Sequence, residues 1–174
     1  MRVSEINLGN VTASLVVSEY GDHVGSDGTS RSLGGRADFD WFIGLRNRAA
    51  VILTSGKTFR DESYREPKNS HLAVFSRNHD IIDPIDNMIS IGPEQASSFE
   101  GAVQYLLAEG YGSIHCEFGP TGFIALARAG FVECYLSSES ISGIKEFSEQ
   151  NSINCSIVAD NHLVIARVGS VAVH

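Results

Sequence analysis

Residues 113–123 read SIHCEFGPTGF. A run of strand-forming residues ends on an acid, a Gly-Pro-Thr corner follows, and an apolar segment begins. Proline suits the first turn of a helix, because the N–H it lacks would have no intrahelical partner there. From Phe123 to Ala129 the pattern is helical, and Gly130 supplies a stop. The stretch is therefore predicted to be a strand, a tight corner and a helix, the repeating unit of a parallel α/β sheet. In such sheets ligands collect at the carboxyl ends of the strands, where helix N-termini present unpaired N–H groups and partial positive charge.

Working outward, β-rich runs recur on both sides. VTASLVVS (11–18), AAVILTS (49–55), HLAVFS (71–76), MISI (88–91) and FVECYLS (131–137) read as strands, several of them apolar on both faces as in a covered parallel sheet. Helices alternate with them. In DFDWFIGLRNRA (38–49) the residues Phe39, Phe42, Ile43 and Arg46 recur at helical spacing, and Phe99, Val103, Leu106 and Leu107 form a second stripe before Gly110. INCSIVAD (153–160), Asp160-Asn161 and HLVIARV (162–168) read as a closing hairpin. The expected fold class is α/β: three layers, a mixed and mostly parallel sheet flanked by helices, and a C-terminal antiparallel hairpin.

A second corner, TSGKTF (54–59), follows the strand 49–55 and has the same plan. Gly56 and Gly119 let a phosphate approach the backbone, and Thr58 and Thr121 add hydroxyl donors. Gly56-Lys57-Thr58 is not a P-loop, because Ala50 and Val51 occupy the region of the first glycine that motif requires.

The chain of 174 residues is 43% apolar and 20% charged, which supports one core, so a single domain over 1–174 is expected. A net charge of −8 argues against a general nucleic-acid or anionic-membrane binder. Any anionic ligand must be caught by local groups. Cys116, Cys134 and Cys155 form no C-x-x-C pair and lie in strand-like runs, as buried reduced thiols of a cytoplasmic protein would. The opening MRVSEINLGN has no apolar leader region, and no stretch approaches the roughly 18 apolar residues of a membrane span. The six histidines show no shared metal spacing, so no metal is expected.

Taken in order, SEYG (18–21), DGTSRSLGGRAD (27–38), FIGLRNRA (42–49), SGKT (55–58) and EFGPT (117–121) resemble the pyrimidine reductase family of riboflavin biosynthesis. That family belongs to the dihydrofolate reductase-like superfamily. SGKTFRDESY with LAVFSRN resembles the superfamily's helix start and its later strand ending in Ser-Arg. The resemblance covers nearly the whole chain, and its strength lies in the order of the pieces.

The resemblance implies NADPH-dependent hydride transfer, in the family the reduction of 5-amino-6-(5-phosphoribosylamino)uracil to its ribitylamino form, with the protein supplying orientation and electrostatics. By position it implies cofactor contacts from Ser55, Gly56 and Thr58 at one corner and from Gly119, Pro120 and Thr121 at the other. Ser76 and Arg77 stand where the adenosine 2′-phosphate is gripped, Ser18, Ser30 and Arg31 where substrate is handled. It also implies a homodimer. Two residues depart from the family: Tyr20 stands in place of an aspartate beside the reacting sugar and is the catalytic candidate, and Phe118 replaces a glycine, bringing a ring to a place of close backbone approach. These departures leave open a same-fold reductase for another small substrate, and a cofactor-binding homologue without catalysis.

Overall fold

The computed structural model describes residues 3–78 and 84–169. After a short 3-10 turn at Val3–Glu5 the order is β1 (Val11–Val16), α1 (Gly35–Arg48), β2 (Val51–Ser55), α2 (Gly56–Asp61), β3 (His71–Phe75), β4 (Ile89–Ile91), α3 (Phe99–Ala108), β5 (Ile114–Glu117), α4 (Pro120–Ala129), β6 (Glu133–Ser138), α5 (Ile141–Asn151), β7 (Cys155–Asp160) and β8 (Val164–Val168). All eight strands join one sheet in the order β4-β3-β2-β5-β1-β6-β8-β7. The first six of that order run parallel, while β8 is antiparallel to both β6 and β7, with a bulge between Ile157 and Ala159. The mixed sheet and its terminal hairpin are those expected from the sequence.

The two faces of the sheet are packed differently. Alternate residues Ala13 and Leu15 of β1, Val51 and Leu53 of β2, Ile114 and Cys116 of β5 and Cys134 and Leu136 of β6 share one continuous apolar core with Val103 and Leu106 of α3, Phe123 and Leu126 of α4 and Ile144 and Phe147 of α5. On the other face the apolar packing is split. Trp41 and Leu45 of α1 cover Tyr135 and Ile165, while Phe59 of α2 covers Ile52, Leu72 and Val74. The side chains between these two clusters, in the middle of the sheet, are polar: Thr12, Ser14, His115 and Glu117.

Two helices correct the sequence reading. In α1 the buried residues are Asp38, Trp41 and Leu45, spaced i, i+3, i+7. The stripe Phe39, Phe42, Ile43 and Arg46 faces an open cavity instead, and Phe39 is 55% exposed. Residues 138–152, to which the sequence reading assigned no element, contain α5. Its apolar stripe is short, Ile144 and Phe147, and its start is fixed by Ser140, whose hydroxyl accepts from the Gly143 N–H at 3.3 Å. Gly143 has a further reason to be glycine: a Cβ there would lie 2.0 Å from the Ser18 carbonyl oxygen.

Candidate active site

A cavity of about 1100 Å³ opens at the carboxyl ends of β1, β2, β3 and β5. Its walls are the outward face of α1, the loop 23–35, and the first turns of α2 and α4. It is larger than the roughly 300–1,000 Å³ of a usual single-ligand pocket.

One end is made by the two glycine corners. Ser55 caps α2: its hydroxyl accepts from the Thr58 N–H at 3.1 Å and lies 3.0 Å from the Thr58 hydroxyl. These hydroxyls first serve each other. Gly56 is buried, with room for a Cβ only at 3.4 Å from Ser76 and from the Arg60 guanidinium. At the other corner Gly119 is the N-cap of α4 and no side chain caps that helix. A Cβ on Gly119 would lie 3.8 Å from the Thr58 hydroxyl, so the two corners adjoin. Pro120 and the exposed Thr121 continue the lining. Ser76 is buried, and Arg77 is exposed with its guanidinium 5.4 Å from the centre of the Phe99 ring.

Phe118 brings less bulk to this corner than its position suggests. Its ring is 4% exposed and meets Phe99 edge to face at 4.7 Å. Gly122, one turn into α4, makes room for it, since a Cβ there would lie 2.5 Å from the Phe118 Cβ.

The other end is made by side chains brought together over long sequence distances. Arg46 of α1 donates through Nε and a terminal nitrogen to both oxygens of Glu117, at 2.6 and 2.7 Å. The Tyr64 hydroxyl donates to the same carboxylate, and the Thr54 hydroxyl donates to the Glu117 carbonyl at 2.8 Å. Burial opposes the charge of Arg46, but the hydrogen bonds and charge of Glu117 prevail and raise the guanidinium above its usual value. Burial, and after it the Glu117 charge, raises the Tyr64 phenol well above its usual range. The guanidinium also lies 4.4 Å from the Phe42 ring centre.

Asp38 also lines the cavity. One of its oxygens accepts from the Ser137 hydroxyl at 2.5 Å, and the side chain is 9% exposed. Burial raises its carboxyl above the ordinary value and the nearby Glu139 adds to this, while the Ser137 bond pulls the other way. Asp38, Tyr64 and His115 had not stood out in the sequence. The signal for Asp38 was present: a carboxylate on the buried stripe it shares with Trp41 and Leu45.

The substrate-side candidates divide. Ser30 and Arg31 line the cavity on a loop tied to the end of α2, where the Ser30 N–H donates to the Glu62 carboxylate at 3.0 Å and the Arg31 guanidinium to the Glu62 carbonyl. Ser18 and Tyr20 are not brought to it. The Ser18 hydroxyl accepts from the backbone N–H groups of Tyr20 and Asp22, both at 3.1 Å, and closes a turn. Tyr20 is 68% exposed and does not line the cavity, so the expected catalytic group points to solvent. Gly21, which follows it in the turn, has φ +81°.

Cys116 and Cys134 are buried free thiols, the latter pushed up to about 12 by burial. Among the described residues no three His, Cys, Asp or Glu side chains are placed to hold a metal, and no helix is long and apolar enough to cross a membrane. His79 and His174 lie outside the described residues.

No protein-family model and no curated protein matches the chain. Solved structures do match in shape. A pyrimidine reductase-like protein of Corynebacterium diphtheriae superposes with a TM-score of 0.65 at 16% identity, over 92% of this chain and 91% of that one. The diaminohydroxyphosphoribosylaminopyrimidine deaminase/5-amino-6-(5-phosphoribosylamino)uracil reductase of Thermotoga maritima gives 0.63 at 12% identity, over 94% of this chain and 57% of that one. Dihydrofolate reductase of Enterococcus faecalis, solved with NADP(H), gives 0.54 at 14% identity, over 94% and 100%. At such identities the likeness is one of fold, and the chain has the dihydrofolate reductase-like fold that the pyrimidine reductases of riboflavin biosynthesis share.

Proposed function

We propose that the chain is an NADPH-dependent reductase of the same kind as the 5-amino-6-(5-phosphoribosylamino)uracil reductases, delivering hydride to the sugar carbon of a ribosylamino-pyrimidine. The observation that carries this reading is the cavity, which has room for two ligands and two chemically distinct ends. The backbone end fits a dinucleotide phosphate: two adjoining glycine corners, an uncapped α4 N-terminus and Arg77 beside them. Ser55, Gly56, Thr58, Ser76, Arg77, Gly119, Pro120 and Thr121 hold the cofactor in this reading. NADPH, when bound, supplies the hydride.

The residues of the chain supply position and the proton. The exposed faces of Phe39, Phe42 and Ile43 offer an apolar wall for a planar ring, and Ser30 and Arg31 close over it from the loop. Reduction needs a proton as well as a hydride. Asp38, with its raised pKa and one oxygen not engaged by Ser137, holds a proton at the cavity and gives it to the substrate. This assigns the acid role to Asp38 and takes it from Tyr20. Arg46 and Glu117 fix each other at the side-chain end of the cavity.

A second reading, a same-fold reductase for another small substrate, is favoured by the apolar α1 wall, which suits a ring better than a sugar phosphate. Both readings place the protein in the cytoplasm, and the exposed edge strand β7, with Ile157 42% exposed, supports the proposed homodimer. Titration with NADPH and NADH, followed by the loss of NADPH absorbance with 5-amino-6-(5-phosphoribosylamino)uracil, tests the proposal. Binding of NADPH with turnover supports the first reading, and binding without turnover of this pyrimidine favours the second. No heat and no thermal shift with NADPH at millimolar concentration would remove both.

A further inference from the structure

We propose that Ser14, oriented by His115, donates a hydrogen bond to a carbonyl oxygen or an unprotonated ring nitrogen of the substrate. It thereby selects heterocycles that present an acceptor at the floor of the cavity. The proposal rests on the cavity being a reductase site. Ser14 lines the cavity from β1 and is half-buried. Its hydroxyl lies 3.1 Å from His115 Nε2, and the other ring nitrogen, Nδ1, lies 2.8 Å from the Thr12 hydroxyl. His115 has no exposed surface, and burial pushes its imidazole down to about 4, so the ring is neutral and carries one proton.

The position of that proton decides what Ser14 does. Glu117, the next residue on the same face of β5, places Oε1 3.9 Å from Nε2. A proton on Nε2 turns a positive N–H edge toward this carboxylate, whereas the other tautomer turns a lone pair toward it. The first arrangement is favoured, and in a buried site the difference is not screened by water. Nε2–H then donates to Ser14, Thr12 donates to Nδ1, and among the described residues no other acceptor stands within hydrogen-bond distance of the Ser14 hydroxyl. It points into the cavity. A donor held this way binds an acceptor without first losing rotational freedom, and discriminates against a ligand that brings its own N–H to the same point.

Neutron diffraction from deuterium-exchanged crystals reads the arrangement directly, without a substrate. Deuterium on His115 Nε2, with the Ser14 deuterium directed into the cavity, is expected. Deuterium on Nδ1 alone, or a Ser14 deuterium aimed at His115, overturns the proposal. Binding provides the second arm. Ser14→Ala in the NADPH complex is expected to weaken 5-amino-6-(5-phosphoribosylamino)uracil about tenfold. Equal affinity of the variant and the unaltered protein would also overturn it. If the unaltered protein binds neither NADPH nor this pyrimidine, the reductase reading falls, and the neutron result alone decides whether Ser14 is a donor into the cavity.

Discussion

The two ends of the cavity are built on different principles. Each glycine corner comes from a handful of consecutive residues, 54–59 and 117–122. At the acid end the lining is side chain, and its partners are far apart: Arg46 and Glu117 are separated by 71 residues, Asp38 and Ser137 by 99. Backbone N–H groups keep their place as long as the strand–corner–helix unit forms. Side-chain clusters also need every partner element to be docked. The acid end is therefore where a single substitution has the larger effect, both on chemistry and on stability.

Asp38→Asn tests that contrast hardest. Losing a positioned proton donor typically costs about 10²–10⁴-fold in turnover, while NADPH affinity is expected to hold, because the corners are untouched. The unaltered protein should also slow as pH rises through the raised Asp38 pKa, since the donor is then ionised. The same shift appears in stability. A carboxyl whose folded pKa is raised contributes stability below its unfolded value, about 3.9, and loses it as pH climbs through the folded value. Urea unfolding across that range should show this loss in the unaltered protein and not in Asp38→Asn. Turnover within a few-fold of the unaltered rate would show that the acid end does not supply the proton.

Arg46→Ala comes next. It strands the Glu117 carboxylate, 5% exposed, without its bidentate partner, and about 3 kcal/mol of folding stability should go with it. Urea denaturation measures this, and a loss below about 1 kcal/mol would mean that water or Tyr64 already balances the charge.

The corners are expected to respond more mildly. Arg77→Ala should reduce the preference for NADPH over NADH about tenfold, the worth of one charge-assisted bond to a phosphate. An unchanged affinity ratio would take the 2′-phosphate away from Arg77. The smallest effect is expected at Tyr20, which lies outside both ends. Tyr20→Phe should leave turnover within about twofold, as exposed substitutions usually do, and a large loss would mean that the loop carrying Tyr20 reaches the substrate during the reaction.

The corners were legible because their chemistry is local. A strand, a glycine and a helix start are read from neighbouring residues, and Gly56 and Gly119 stand where that reading places them. The face of α1 was harder. Phe39, Phe42 and Ile43 form an apolar stripe at helical spacing, and nothing in the stripe distinguishes burial in a core from the wall of an open cavity. In α5 the apolar signal was three large residues, of which Ile141 is exposed, and Gly143 became meaningful only with the Ser18 carbonyl pressed against it. Tyr20 was placed from its position in a motif, but it stands in the turn that the Ser18 hydroxyl closes and is 68% exposed.

By itself the sequence determined the α/β plan, the strands and the two corners, because period, turn chemistry and glycine freedom act between residues close in the chain. Only the tertiary structure decided which carboxylate is buried at the cavity, which face of α1 lines it, and that His115 stands between Thr12, Ser14 and Glu117. Those properties come from burial and from pairing across the sheet. Burial and distant partners shift a pKa or orient a hydroxyl, and they are set when β1, β5, β6 and α1 come together.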